Sequence, residues 1–101
     1  MGAMDLNSKQ RSHLRALAHH LDAVVQVGTA GITDAIIAKV DVELENHELV
    51  KVKVSKEAPV EVQAGAEAVA LATRAGLAQI IGRTMVLYRP RKKKPVIKLP
   101  E

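Results

Sequence analysis

Hydrophobic positions in the first half of the chain follow a helical period, then a strand period, then a helical period again. Asn7 is placed to cap a first helix with Gln10 at the reciprocal capping-box position, and apolar residues then recur three and four positions apart. The β-branched run over 22–27 predicts a buried strand. Thr33 is placed to cap a second helix, in which apolar and acidic positions again separate onto two faces.

The second half of the chain reads as a strand, a helix and a hairpin. Residues 49–55 alternate, which points three valines toward the core and turns Lys51 and Lys53 toward solvent. An alanine-rich third helix is predicted to begin near Pro59 and to end at Gly76. Two strands over 77–81 and 84–88, separated by Gly82-Arg83, complete the pattern. The predicted fold class is α+β in the order α-β-α-β-α-β-β, a four-stranded sheet with helices on one face.

Length and composition favour one small domain. The chain has 101 residues, no cysteine, and no apolar run near the ~18 residues that a membrane span needs. We divide it into a patternless start over 1–5, interpreted as a cloning scar and disordered, a single domain over 6–89, and a basic tail over 90–101. A cytoplasmic monomer with no membrane partner is the expectation.

Charge is distributed unevenly along the chain. The net charge is +4, yet residues 83–101 carry seven basic side chains against one acidic one, so the positive excess lies at the C-terminal end. Such an excess favours an anionic partner. Only one residue, Tyr88, is aromatic, which argues against an RNA-binding platform that stacks bases on aromatic rings. The residues predicted to attract phosphates at this end are Arg83, Arg89, Arg91, Lys92, Lys93 and Lys94.

The pattern with the most chemistry is Gly28-Thr29-Ala30-Gly31, between the first strand and the second helix. Two glycines let a backbone phosphate approach closely, and the helix start offers N–H groups, as in KH-type domains. A plain structural turn is the alternative interpretation. The loop lacks the Gly-Lys-Ser/Thr of a nucleotide-binding loop and the third glycine of a dinucleotide-binding one.

Catalytic and metal-binding patterns are absent from the sequence. The four histidines lack metal-ligand spacing, and no serine lies in a nucleophile elbow. We therefore expect no enzymatic activity, no cofactor, no metal and no small-molecule substrate.

Four ordered segments carry a family resemblance: Lys9–Ala18, Val25–Thr33, His47–Lys53 and Ile80–Arg89. They resemble the CRM domain, named for chloroplast RNA splicing and ribosome maturation, and look most like its stand-alone bacterial form, the YhbY proteins. The resemblance covers about residues 6–89. It implies a fold similar to KH domains and to the C-terminal domain of translation initiation factor 3.

The resemblance also implies RNA binding and association with precursors of the large ribosomal subunit. It places the RNA-binding loop on Gly28–Gly31 and the basic face on Lys51, Lys53, Arg83 and Arg89. Relatives often carry Lys or Arg inside this loop, whereas Thr29 and Ala30 occupy it here. We therefore expect backbone N–H groups and neighbouring cations to supply more of the RNA affinity than the side chains of the loop. The alternatives left open are a factor in group II intron splicing and a basic protein-interaction module that binds no RNA.

Overall fold

The computed structural model describes residues 2–101, and it confirms the predicted order of elements. The three helices are α1 (Ser8–Ala18), α2 (Asp34–His47) and α3 (Val62–Thr73). The four strands are β1 (Ala23–Val27), β2 (Leu49–Val54), β3 (Gly76–Ile81) and β4 (Thr84–Tyr88). The α+β class and the four-stranded sheet are therefore confirmed. Among the described residues, no helix is long and apolar enough to cross a membrane.

The sheet has the strand order β1-β2-β4-β3. β1 runs parallel to β2, whereas β4 is antiparallel to both β2 and β3. β1 and β3 are consequently the edge strands. The prediction of a buried first strand was wrong, because only Val25 and Val27 of β1 are buried and its other residues are exposed.

Helices cover both faces of the sheet, so the predicted placement of all helices on one face was wrong. α2 and α3 pack on the face formed by the three β2 valines, Met85 and Leu87. α1 packs on the opposite face, where Leu14 and Ala18 meet Val86 and Tyr88. The physical reason lies in β4, because four consecutive buried apolar residues send alternate side chains to the two faces and both must be covered.

Helix caps decide where the helices begin. The Asn7 and Gln10 capping box and the Thr33 cap both form as predicted. The third helix begins later than predicted, at Val62, because the Glu61 side chain accepts from the N–H groups of Gln63 and Ala64. These hydrogen bonds hold the pKa of Glu61 below its usual value.

Gly76 has a different role from the predicted helix end. α3 ends at Thr73, Arg74 follows it in the left-handed conformation, and Gly76 begins β3. A Cβ at Gly76 would lie 2.7 Å from a methyl carbon of Leu6. The glycine therefore lets the chain before α1 lie directly on β3, where the Met4 N–H also donates to the Ala75 carbonyl.

Candidate nucleic-acid interface

The glycine loop is a tight turn at the carboxyl end of β1. The Gly31 N–H donates to the Gly28 carbonyl at 3.0 Å, and Gly31 has a φ of 75°, which favours glycine. Gly31 is buried beside Pro59, whereas Thr29 and Ala30 are exposed at the tip. Within the described part of the chain, the backbone N–H groups of Thr29 and Ala30 donate to no acceptor. The turn therefore presents two free donors to solvent.

The N-terminus of α2 is less available to an anion than the sequence indicates. Ile32 and Thr33 separate the turn from the helix, which begins at Asp34. The Thr33 hydroxyl already accepts from the Ile36 N–H at 3.2 Å, and the Asp34 carboxylate occupies the first turn. The cap and the carboxylate satisfy part of the positive helix end, so the turn itself is the stronger anion-binding element.

Arg83 fixes the strand ends beside this turn. Its guanidinium donates to the Val54 carbonyl at 2.9 Å and to the Ser55 carbonyl at 2.6 Å. The Ser55 N–H in turn donates to the Val27 carbonyl at 2.9 Å, immediately before Gly28. Arg83 thus joins the β3–β4 turn to the end of β2. Its charge lies at the same end of the sheet as the glycine loop.

The predicted lysines of β2 lie on the face of the sheet that α1 partly covers. Lys53 is exposed, and Lys51 is half-buried closer to α1. Lys53 is the cross-strand partner of Gln26, two residues before the glycine loop. The loop, Lys53 and Arg83 are therefore brought together at one end of the sheet, whereas Lys51 lies in the middle of β2, opposite Ala23 at the start of β1.

Arg89 lies at the other end of the sheet. It follows Tyr88, and five residues of extended chain from Thr84 span about 17 Å. Its guanidinium pairs with Asp41 and Glu45 on α2 and donates to the Thr73 carbonyl at 2.9 Å. Only 17% of the Arg89 side chain is exposed. The structure thus separates Arg89 from the glycine loop and gives it acidic partners.

Glu48 holds the C-terminal segment against the domain. This residue joins α2 to β2, is only 2% exposed, and has a φ of 65°. Its carboxylate accepts from the backbone N–H groups of Arg91 at 3.0 Å, Val96 at 2.8 Å and Ile97 at 3.0 Å. Burial opposes ionisation, but the three donors outweigh it and hold the pKa of Glu48 below its usual value.

The docked segment also carries apolar residues onto the domain. Ile97 and Leu99 pack against the cluster around Leu14 and Tyr88, while Val96 points outward. Burial, together with the nearby Glu48 charge, raises the pKa of Tyr88. The segment therefore has a defined path, although it forms neither helix nor strand.

The basic run of this segment borders an open cleft of about 880 Å³ between the ends of α2 and α3. Lys92, Lys93 and Lys94 are exposed, and Arg91 is half-buried. The same cleft contains Asp41 and Glu45, and the Lys92 N–H donates to the Glu45 carboxylate at 2.9 Å. The local charge is thus mixed, and the net excess counted along the sequence overstates the positive potential here.

Sequence reasoning missed Glu48 entirely. A single glutamate between a helix and a strand has no recognisable pattern, and its partners lie more than 40 residues away in the chain. Across residues 2–101, no group of three or more His, Asp or Glu side chains is arranged to hold a metal ion.

Comparison with known proteins identifies the family. The profile of the CRS1/YhbY (CRM) domain matches residues 6–89. A Haemophilus influenzae "RNA-binding protein" is 41% identical over 85 residues, which cover 84% of this chain and 86% of the relative. The Bacillus subtilis protein named "Probable RNA-binding protein YqeI" is 40% identical, over 94% of this chain and 99% of the relative.

The fold has a solved counterpart. The solution structure of a hypothetical protein from Staphylococcus aureus superposes with a TM-score of 0.81 at 41% sequence identity. The match covers 95% of this chain and all of the other. The domain match, the two relatives and the shared fold agree, and this chain belongs to the CRS1/YhbY (CRM) domain family.

Proposed function

We propose that this protein is a cytoplasmic, monomeric RNA-binding protein that acts without catalysis and associates with precursors of the large ribosomal subunit. The observation that carries the proposal is the exposed tip of the glycine loop, with free N–H groups at Thr29 and Ala30, close to Lys53 of β2. Relatives of similar length are named as RNA-binding proteins, which supports the choice of RNA as the anionic partner.

In the proposed complex, the RNA backbone lies across the end of the sheet that bears the glycine loop. The Thr29 and Ala30 N–H groups donate to a phosphate, and no Cβ at Gly28, which faces open space, obstructs its approach. Lys53 and Lys51 neutralise further phosphates, while Arg83 keeps the strand ends in register and adds its charge. Contacts of this kind position the RNA and carry no sequence information.

The basic run at the other end of the sheet contributes a second, weaker contact in this proposal. Lys92, Lys93 and Lys94 are exposed, but the acids of α2 offset part of their field. Arg89 serves chiefly to tie β4 to α2, since its guanidinium is already paired. Phosphates bound here belong to a different stretch of RNA from those at the glycine loop.

Association with large-subunit precursors is tested by sedimentation. We expect tagged protein from a growing bacterial culture to migrate with large-subunit precursors in a sucrose gradient, and to move to the top after nuclease treatment. The Thr29→Asp plus Ala30→Asp variant should remain at the top without nuclease. Recovery of the untreated wild-type protein only in free fractions contradicts the ribosomal role, and nuclease-resistant association favours a protein partner.

A further inference from the structure

α1 leaves one end of its sheet face open. Leu14 and Ala18 cover the part of the face around Val86 and Tyr88, near the ends of β2 and β4 that are remote from the glycine loop. Beyond this contact, one residue from each strand forms a cross-strand row, which we call the uncovered row. Its members, in register across β1, β2, β4 and β3, are Gln26, Lys53, Thr84 and Ile81.

The uncovered row is accessible along its whole length. Gln26, Lys53 and Ile81 are exposed, and Thr84 is half-buried between its neighbours. Ile81 is 53% exposed and lacks the apolar covering that Val86 and Tyr88 receive on the same face. Four adjacent strands make the row about 14 Å long. One end of it, Gln26, lies two residues before Gly28.

Two shallow clefts border the uncovered row on its α1 side. One, of about 250 Å³, is lined by Lys51, Ile81 and Thr84 together with Asp22 and its neighbours. The other, of about 130 Å³, is lined by Lys51, Ile81 and Gln79 together with Arg15 and His19 at the end of α1. Both clefts share Lys51 and Ile81, so an apolar contact and a cation recur side by side.

We propose that the uncovered row contacts the bases of single-stranded RNA whose backbone is held at the glycine loop. The inference rests on the proposed function and adds to it a preference among bases. The Gln26 amide and the Thr84 hydroxyl can donate to and accept from base edges, and Ile81 offers a flat apolar contact. Lys53 and Lys51 keep the backbone close to the row.

The charge and the shape of the uncovered row favour single-stranded RNA as its ligand. Lys51 and Arg15 outnumber Asp22 around the two clefts, and Lys53 adds a further positive charge within the row. The surface therefore favours an anionic ligand over a neutral or basic peptide. The major groove of an RNA duplex is too deep and narrow for side chains to read, and its minor groove is recognised mostly by shape, whereas single-stranded bases can be splayed onto the row. Because no aromatic ring lies in the row, base contacts here come from hydrogen bonds and apolar packing and not from stacking.

The test is fluorescence anisotropy with ten-nucleotide homopolymers of U, A and C at one salt concentration. For the wild-type protein, we expect the ratio of the dissociation constants for the weakest-bound and the tightest-bound polymer to be about five, a discrimination typical of one or two base contacts. Gln26→Ala plus Ile81→Ala should reduce that ratio below about twofold. Gln26→Glu, which preserves the size of the side chain, should also change the ratio.

Two control variants distinguish a base contact from a phosphate contact and from the general effect of removing an exposed apolar side chain. Lys53→Gln should weaken all three polymers alike and lower the salt slope by about 0.7, the value for one phosphate contact on a single strand. Leu71→Ala removes an apolar side chain that is 57% exposed on α3, away from the uncovered row, and should change nothing.

Each remaining outcome overturns one claim. If the wild-type protein binds the polymers equally, or if the ratio survives in both row variants, the row does not contact bases and the proposed backbone site still stands. If the wild-type protein binds none of the polymers, the proposed function itself fails. If the row variants keep their RNA affinities but lose a protein from the ribosomal particle, the row is a protein contact and the inference is wrong.

Discussion

Replacing Thr29 and Ala30 with aspartate is expected to lower RNA affinity at least about 100-fold, which corresponds to about 2.7 kcal/mol. Both side chains are exposed at the tip of the glycine loop, so the substitutions place two carboxylates where a phosphate must approach. The turn itself should persist, because the Gly31-to-Gly28 hydrogen bond and the positive φ of Gly31 do not involve the substituted side chains. Anisotropy with a single-stranded RNA and a thermal melt measure the two effects.

A charge-matched control distinguishes a local effect from a change in net charge. Ala68→Asp plus Leu71→Asp adds the same two charges to exposed positions of α3. This control should lower affinity only a few-fold, through the long-range field of the protein. Equal losses in both double variants would show that net charge alone governs binding and would remove the glycine loop from the site.

Replacing Glu48 with alanine is expected to lower the free energy of unfolding by about 2–4 kcal/mol. The substitution removes the buried carboxylate that accepts three backbone N–H groups, from Arg91, Val96 and Ile97. Detachment of the segment relieves the unpaired donors but loses the packing of Ile97 and Leu99. Hydrogen exchange of residues 91–97 should therefore accelerate strongly while exchange in β2 and β4 changes little. Unchanged protection at Val96 and Ile97 would contradict this role.

Ionisation of Glu48 should contribute to the dependence of the free energy of unfolding on pH. Its pKa is lowered in the folded protein, so its stabilising contribution is present above the unfolded value of about 4.3 and is lost as pH falls through the folded value. Glu48→Gln removes this ionisation at nearly constant size. The stability difference between wild type and Glu48→Gln should shrink between pH 6 and pH 3, whereas Glu61 contributes equally to both. A pH-independent difference would mean that the charge of Glu48 is immaterial.

The elements could be predicted from the sequence where a local pattern determines them. The capping box at Asn7 and the alternation over residues 49–54 each depend on neighbours within a few positions, and both form as predicted. The side of the sheet chosen by α1 depends on β4, which lies about 70 residues further along the chain. The run Met85–Tyr88 is apolar at every position and does not alternate, which indicates a strand with both faces buried. This pattern was the signal in the sequence that helices cover both faces of the sheet.

In the candidate site, too, features set by a local pattern could be predicted, whereas contacts between distant parts of the chain could not. The exposed tip at Thr29 and Ala30 follows from two glycines in a strand-to-helix turn, and the lysines of β2 follow from alternation. The pairing of Arg89 with Asp41 and Glu45 could not be read from the sequence, because charges that are 44 to 48 residues apart meet only after folding. Counting basic residues at the C-terminal end therefore overstated how much of that charge is available to RNA.

The central claim is that RNA binds at the end of the sheet that bears the glycine loop. Its most direct test is a titration of isotopically labelled protein with a short single-stranded RNA, followed by the backbone amide resonances. We predict the largest shift changes at Gly28–Gly31, Gln26 and Lys53, with smaller ones at Lys92–Lys94. Shift changes confined to residues 89–94, or none at any RNA concentration, would contradict the account.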